Sequence, residues 1–336
     1  METTSRNGWL WLGMAGLLLL CLISMMVGKY GAGPVQIFEA ARAALSGSQT
    51  DPILSTVLWN VRLPRVAAGL CVGAGLAAAG ATYQGLFRNP LVSPDILGVS
   101  AGASLGAVLG IFLSLPVAII QFMGFAGGLA AVAAVYAVGA AVRNRDPVLT
   151  LVLAGVAVGA LVAAGISLIK ILADPYDQLP AITYWLLGSL TAVTRFDVLS
   201  ILPALIIGFI PLVLLRWRMN VMTLGDEEAQ TMGIDTHRTR TVLIAAATLI
   251  TAASVSITGI IGWIGLVIPH VARMIVGPDF RKLLPASMMF GGAYLLIVDM
   301  LARSIALIEV PLGILTAAVG APFFLWLLAS GRRGWQ

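Results

Sequence analysis

Charge is what this sequence has least of. Only 10% of its 336 residues are Asp, Glu, Lys or Arg, whereas a soluble domain carries about 25%. With 59% hydrophobic residues and a mean hydropathy of +0.98, the shortage excludes an ordinary soluble domain. It indicates a chain that crosses a bilayer many times. Cysteine is nearly absent: Cys21 and Cys71 both lie in apolar runs, so neither a disulfide framework nor a thiolate metal site is readable. Histidine is limited to His237 and His270, and no H-E-x-x-H occurs. The sequence also lacks G-x-x-x-x-G-K-[ST], the loop that cradles ATP phosphates. The net charge of +5 has no long basic cluster behind it, which excludes nucleic acid as a partner.

What is present in quantity is long apolar runs. They cover 9–28, 66–86, 95–115, 116–142, 148–173, 197–215, 283–301 and 311–330, each near the roughly 20 residues that a crossing helix needs. The first run exceeds the 7–15 residues typical of a signal-peptide core and no A-x-A site directly follows it, so it reads as a span. The stretch 241–278 would reach roughly 57 Å as a helix, enough for two thin spans or one overlong one. Basic residues decide between them, because Lys and Arg concentrate in the cytoplasm. With Arg6, Arg88, Arg143/Arg145, Arg216/Arg218, Arg238/Arg240, Arg281/Lys282 and Arg332/Arg333 inside, 241–278 must cross twice. The expectation is an all-α polytopic membrane protein of ten transmembrane helices with both termini cytoplasmic. Arg62, Arg65 and Arg303 then fall outside, against the trend. Ten spans divide into two five-helix halves, and an odd-numbered repeat must be inverted. QGLFRNPLVSP around Pro90 and GWIGLVIPHVAR around Pro269 echo each other, and inversion would put them on opposite faces.

One polar stretch interrupts the apolar pattern: LGDEEAQTMGIDTHRTR, residues 224–240. Asp226, Glu227 and Glu228 suit the first turn of a short helix, where carboxylates meet the positive dipole end. Gly233 can turn left-handed and stop that helix, and Asp235 can N-cap a second one. Read from the residues alone, the cassette is either a solvated loop or a compact protruding contact unit. RNPLVSPD predicts a cytoplasmic turn with Pro90 and Pro94 breaking helix, Asn89 capping and Asp95 starting the next helix. It either terminates a helix or closes a pathway from inside. His270 and Arg273 share one helical face and read as a packed, hydrogen-bonded pair. Asp299 lies deep in a span, where a charge costs roughly 2.5–3.5 kcal/mol, so it needs a partner that the sequence does not name.

The cassette's D-E-E-A-x-x-x-G pattern resembles the coupling-helix segment of the permease subunits of type II ABC importers, those for iron–siderophore, haem and cobalamin. RNPLVSPDILGVSAGAS at 88–104, GIIGWIGLVIPHVARMIVGPDFRKLLPAS at 259–287, NVRLPRV at 60–66 and EVPLGI at 309–314 extend the resemblance over nearly the whole chain. It implies one permease domain, 1–336, with a coupling loop at 218–240, working as a homodimer in the bacterial inner membrane. The implied partners are two ATP-binding ABC subunits at the cytoplasmic face and a periplasmic or extracellular substrate-binding protein. ATP and Mg would sit on the ATPase, leaving this chain without cofactor, metal or catalytic residue. Gly225, Asp226, Glu227, Glu228, Ala229 and Gly233 would couple to that ATPase. Arg62, Arg65 and Arg303 would receive acidic residues of the binding protein, or else snorkel to lipid phosphates. Lys170, Asp174, Asp177 and Tyr184 would stand near the outer mouth of the pathway. ADPYDQLPAITYWLLGSL looks like the permeases for ferric siderophores, with haem, cobalamin and molybdate open as substrates. Two other classes compete: an ion-coupled secondary transporter, for which Asp299 is the one carboxylate at membrane depth, and an intramembrane enzyme, for which His270 stands alone.

Overall fold

The computed structural model describes residues 8–28, 30–47, 51–142 and 147–329, and among them only helices and turns occur. In chain order the helices are α1 (Gly8–Met26), α2 (Pro34–Ser46), α3 (Pro52–Thr56), α4 (Leu63–Leu86), α5 (Val99–Phe112), α6 (Val117–Ala141), α7 (Pro147–Leu172) and α8 (Gln178–Leu186). They continue as α9 (Arg195–Leu214), α10 (Arg216–Met222), α11 (Asp226–Thr231), α12 (Thr236–Thr258), α13 (Ile264–Val276), α14 (Phe280–Ser304) and α15 (Leu312–Ala329). Seven helical stretches are long and apolar enough to cross a membrane; α5, α13 and α15 are shorter apolar helices. The basic landmarks Arg6, Arg143, Arg145, Arg332 and Arg333 lie outside the described residues.

Two stretches form the centre. The continuous helix Pro52–Leu86 has 78% of its apolar window buried and α12 has 72%, against 11% for α1 and for α7. The cause is side-chain size. Lipid gives no hydrophobic drive between helices, so close backbone approach through small residues must hold them together. The α4 segment AAGLCVGAGLAAAG supplies those residues. A methyl group on Gly73 would collide with the Gly291 carbonyl of α14, and one on Gly80 with the Gly265 carbonyl of α13. The peripheral helices keep large apolar side chains outward, such as Leu161 and Ile171 on α7.

Several expected boundaries shift. The second crossing begins well before residue 66, because α3 runs through a π-helical turn (Val57–Arg62) into α4. Asp95 does not start a long helix: it sits in a 3-10 turn (Pro94–Leu97), Gly98 then takes φ 77°, and α5 begins at Val99. The stretch 241–278 does divide in two, at a turn over 259–263 where Trp263 has φ 71°. The two echoing Gly/Pro breaks are not separated on opposite faces. The Gln84 side chain donates to the Leu266 carbonyl at 3.0 Å and Arg273 donates to Gln84 Oε1 at 3.3 Å. A methyl on Gly265 would lie 2.8 Å from the Pro94 ring.

Candidate functional site

The helix ends sort into two polar clusters. At one end sits the cassette, built as the sequence predicts. α9 ends at Leu214, α10 follows, and Gly225 takes φ 141° to let the chain turn into α11. Asp226, Glu227 and Glu228 occupy the first turn of α11. Gly233 takes φ 78° and its N–H closes on the Gln230 carbonyl at 2.9 Å. The Asp235 side chain then accepts from Arg238 N–H at 2.9 Å and caps α12.

What fixes α11 against α12 is a fork-like pair. Arg240 Nη2 donates to both oxygens of Asp226, at 2.7 and 2.8 Å, and Arg240 is buried. Ala229 is fully buried under the same turn. Of the expected coupling residues, Gly225, Asp226 and Ala229 therefore hold the unit together, while Glu227, Glu228 and Gly233 face outward. Two apolar side chains that sequence reasoning passed over are exposed beside them, Leu224 at 60% and Met232 at 54%. An apolar residue in so polar a stretch was the available signal. Two further contacts tie the cassette to the bundle. The Asn220 amide donates to Asp279 at 2.7 Å and accepts from Phe280 N–H at 2.8 Å, latching α10 onto the start of α14. The Arg88 guanidinium lies against Gly225.

The opposite end carries a buried ion cluster. Asp299, fully buried, receives Arg65 Nε at 2.7 Å and faces Arg303 Nη2 at 3.1 Å. Arg65 also pairs with Glu309 at 2.8 Å, and Thr191 donates to that carboxylate at 2.6 Å. Arg303 donates to the Val27 carbonyl at 2.8 Å and the Ser24 hydroxyl at 3.0 Å. Arg62 donates to the Met25 carbonyl at 2.6 Å and also to the Tyr30 carbonyl. Arg62, Arg65 and Arg303, expected at the outer surface, are paired within the chain, and all three are under 9% exposed. Each guanidinium carries hydrogen-bonding capacity that apolar surroundings must satisfy internally. The α1 C-terminal carbonyls and the two carboxylates do so. Burial pushes the Glu309 carboxyl up. Hydrogen bonds from Arg65 and Thr191 and the charges of Arg65 and Arg303 outweigh that effect and hold it below the ordinary carboxylate range.

The remaining expected residues lie apart. Asn89 accepts from Leu91 N–H at 2.9 Å and so closes a turn rather than capping a helix. Pro90 follows in the same turn, Pro94 opens the 3-10 turn, and Asp95 accepts from the Ser100 hydroxyl. Asp174 accepts the N–H groups of Tyr176 and Asp177 at 2.8 and 3.0 Å, folding the turn between α7 and α8. Lys170 near the end of α7 is half-buried, and Tyr184 on α8 is 45% exposed. His270 lies edge-on to the Phe323 ring while Arg273 reaches Gln84, so each packs into its own neighbours.

A bundle of apolar helices carrying a braced polar cassette at one end is the architecture of a transport permease. Residues 16–330 match the FecCD transport family, and the chain belongs to it. It is 38% identical to a cobalamin import permease of Halobacterium salinarum, with 98% of each chain covered. Identity is 36% to a molybdate import permease of Haemophilus influenzae, over 95% of this chain and 94% of the relative. It is 42% to a probable iron chelatin permease of Helicobacter pylori, over 83% and 84% respectively. A solved structure described as an inward-facing metal-chelate type ABC transporter superposes with a TM-score of 0.87 at 35% identity, covering 97% of this chain and 100% of that one. The chain is an ABC importer permease of multi-pass membrane type.

Proposed function

We propose that this permease imports a metal chelate, a ferric siderophore, by ATP-driven alternating access between two copies of itself. Each copy contributes ten spans in two inverted five-helix halves, in a bacterial inner membrane with both termini in the cytoplasm. Two ATP-binding subunits dock on the cassette face and supply ATP and Mg; a substrate-binding protein docks on the opposite face. The cassette is the observation that carries the reading. The Asp226–Arg240 pair and buried Ala229 make α11 a stiff unit, and its exposed Leu224 and Met232 present apolar surface that a partner groove would cover. A push on a stiff unit transmits to α12, a central helix, as a switch between two packings.

The outer docking face is the rim that the ion cluster supports, since direct capture through Arg62, Arg65 and Arg303 requires their present pairs to open. The exposed segment Leu307–Ile308 belongs to that rim. The pathway runs along α7 and α8 of the two copies, where Lys170, Asp174 and Tyr184 stand. Support for the chelate comes from the ADPYDQLPAITYWLLGSL resemblance and from relatives that serve iron chelatin, molybdate and cobalamin. The test is uptake in a strain deleted for its own importers and supplied with this chain and its partner subunits. Ferric siderophore accumulation is the expected result; accumulation of cobalamin, haem or molybdate alone overturns the substrate assignment. Against an ion-coupled mechanism stands the engagement of Asp299, the carboxylate it would use, by two arginines.

A further inference from the structure

We infer that a membrane glycerophospholipid binds in a groove between α6, α9 and α12, its phosphodiester held beside the cassette by Arg240 and its acyl chain lying along the bundle. Two observations made independently converge there. The first is a cavity of about 520 Å³ lined by Leu129, Val132 and Ala133 of α6, Ile207 and Pro211 of α9 and the start of α12. It is open to the side and apolar, and the neighbouring α9 face shows Ile206, Ile210 and Val213 outward. Such a face in a polytopic chain meets lipid. The groove also continues along the same three helices into a second cavity of about 490 Å³, with Ile207 and Leu249 common to both.

The second observation lies at the cassette end. A pocket of about 150 Å³ shares Tyr136 and Thr241 with the groove and is otherwise lined by Gly139, His237 and Arg240, among others. Arg240 is nine-tenths buried. Its Nη2 is spent on Asp226, but its buried Nε–H has no hydrogen-bond partner among the described residues. A buried unsatisfied donor is costly, and a guanidinium N–H matches phosphate oxygen well. Tyr136 and His237 add a hydroxyl and an imidazole to the same pocket, while the Thr241 hydroxyl is spent on the His237 carbonyl at 2.9 Å. An apolar slot ending in such donors, at the level where a crossing helix leaves the bilayer, has the polarity profile of one phospholipid of the nearer leaflet. Occupancy would brace Arg240, and through it Asp226, so lipid would stiffen the cassette.

The inference does not depend on the substrate assignment. It is tested by native mass spectrometry of the purified full-length chain with dioleoylphosphatidylglycerol, dioleoylglycerol or inorganic phosphate added. Wild type is expected to retain one phosphatidylglycerol, and neither dioleoylglycerol nor millimolar phosphate should displace it. Arg240→Gln should weaken retention about tenfold, the scale of a lost charge-assisted hydrogen bond. Ala133→Trp, which fills the slot without touching Arg240, should weaken it as much, and Leu199→Trp on an exposed part of α9 should leave it unchanged. Should Arg240→Gln fail to fold, Ala133→Trp alone decides. Equal retention by Ala133→Trp and wild type overturns the site. Displacement by dioleoylglycerol overturns the headgroup role, and displacement by phosphate alone overturns the chain-bearing ligand. Amide exchange over 226–240 should also slow when phosphatidylglycerol is added; no change there overturns the bracing.

Discussion

Arg65 touches two carboxylates from a different part of the chain, and that single side chain joins the start of α4 to α14 and to the loop before α15. Removing one partner of a buried pair leaves an uncompensated charge, a loss of about 3–5 kcal/mol. Arg65→Met should therefore lower thermal stability in detergent strongly, and Arg65→Met with Asp299→Leu should recover part of the loss, since the fully buried carboxylate goes too, while Glu309 keeps the Thr191 hydroxyl and Arg303 keeps the Val27 carbonyl and Ser24. A double variant no more stable than the single one would contradict the pairing. Glu309 adds a pH signature. Its folded pKa is depressed, so its contribution is fully present above the unfolded value, about 4.3, and is lost as pH falls through the lower folded value. Wild type should lose stability below about pH 4.3, and Glu309→Gln should lose less over that interval while starting lower at neutral pH. Melting curves across pH 3 to 7 check both. None of these partnerships was legible beforehand. Asp299 announced itself as a charge at membrane depth, but its bond to Arg65 spans 234 residues of sequence, and no local pattern encodes that distance. Arg62 is harder still, because backbone carbonyls satisfy it and carbonyls carry no sequence signal.

Among elements, the α4 contacts set the tolerance of the bundle. Gly73 and Gly80 face backbone atoms of α14 and α13, which cannot swing aside as a side chain can. Gly80→Leu should abolish correctly folded protein, seen as loss of a monodisperse peak, whereas a leucine at Gly159 of α7, where nothing lies near a new side chain, should be tolerated. Equal expression of both would refute the close-approach account. Asn220→Ala should release α10 from the start of α14, visible as faster amide exchange across 216–222, because the bonds lost go to the Asp279 carboxylate and the Phe280 N–H. Much at this scale was legible in the sequence. Basic landmarks alone required the division of 241–278, and the Gly233 stop and the Asp235 cap follow from local backbone chemistry. The amphipathic α2 was not, because PVQIFEAARAALS is too short and polar to register as a span. Nor was the meeting of the Pro94 and Gly265 breaks, a matter of tertiary packing that periodicity cannot report.

For the whole molecule, the proposed coupling through the cassette requires that α11 be stiff and that its outer face be contacted. Its helix starts and stops could be read directly from DEEAQTMGID. Its clamp could not, since the Asp226–Arg240 pair depends on the fold-back of α11 onto α12. The decisive measurement is binding-protein-stimulated ATPase activity of the chain with its ATP-binding subunits in nanodiscs, comparing wild type with Leu224→Asp/Met232→Asp. Both positions are exposed, so the permease itself should melt as wild type does. Stimulation is predicted to fall at least about tenfold, the scale of losing a central contact at an interface. Stimulation at the wild-type level would contradict the coupling role of the cassette.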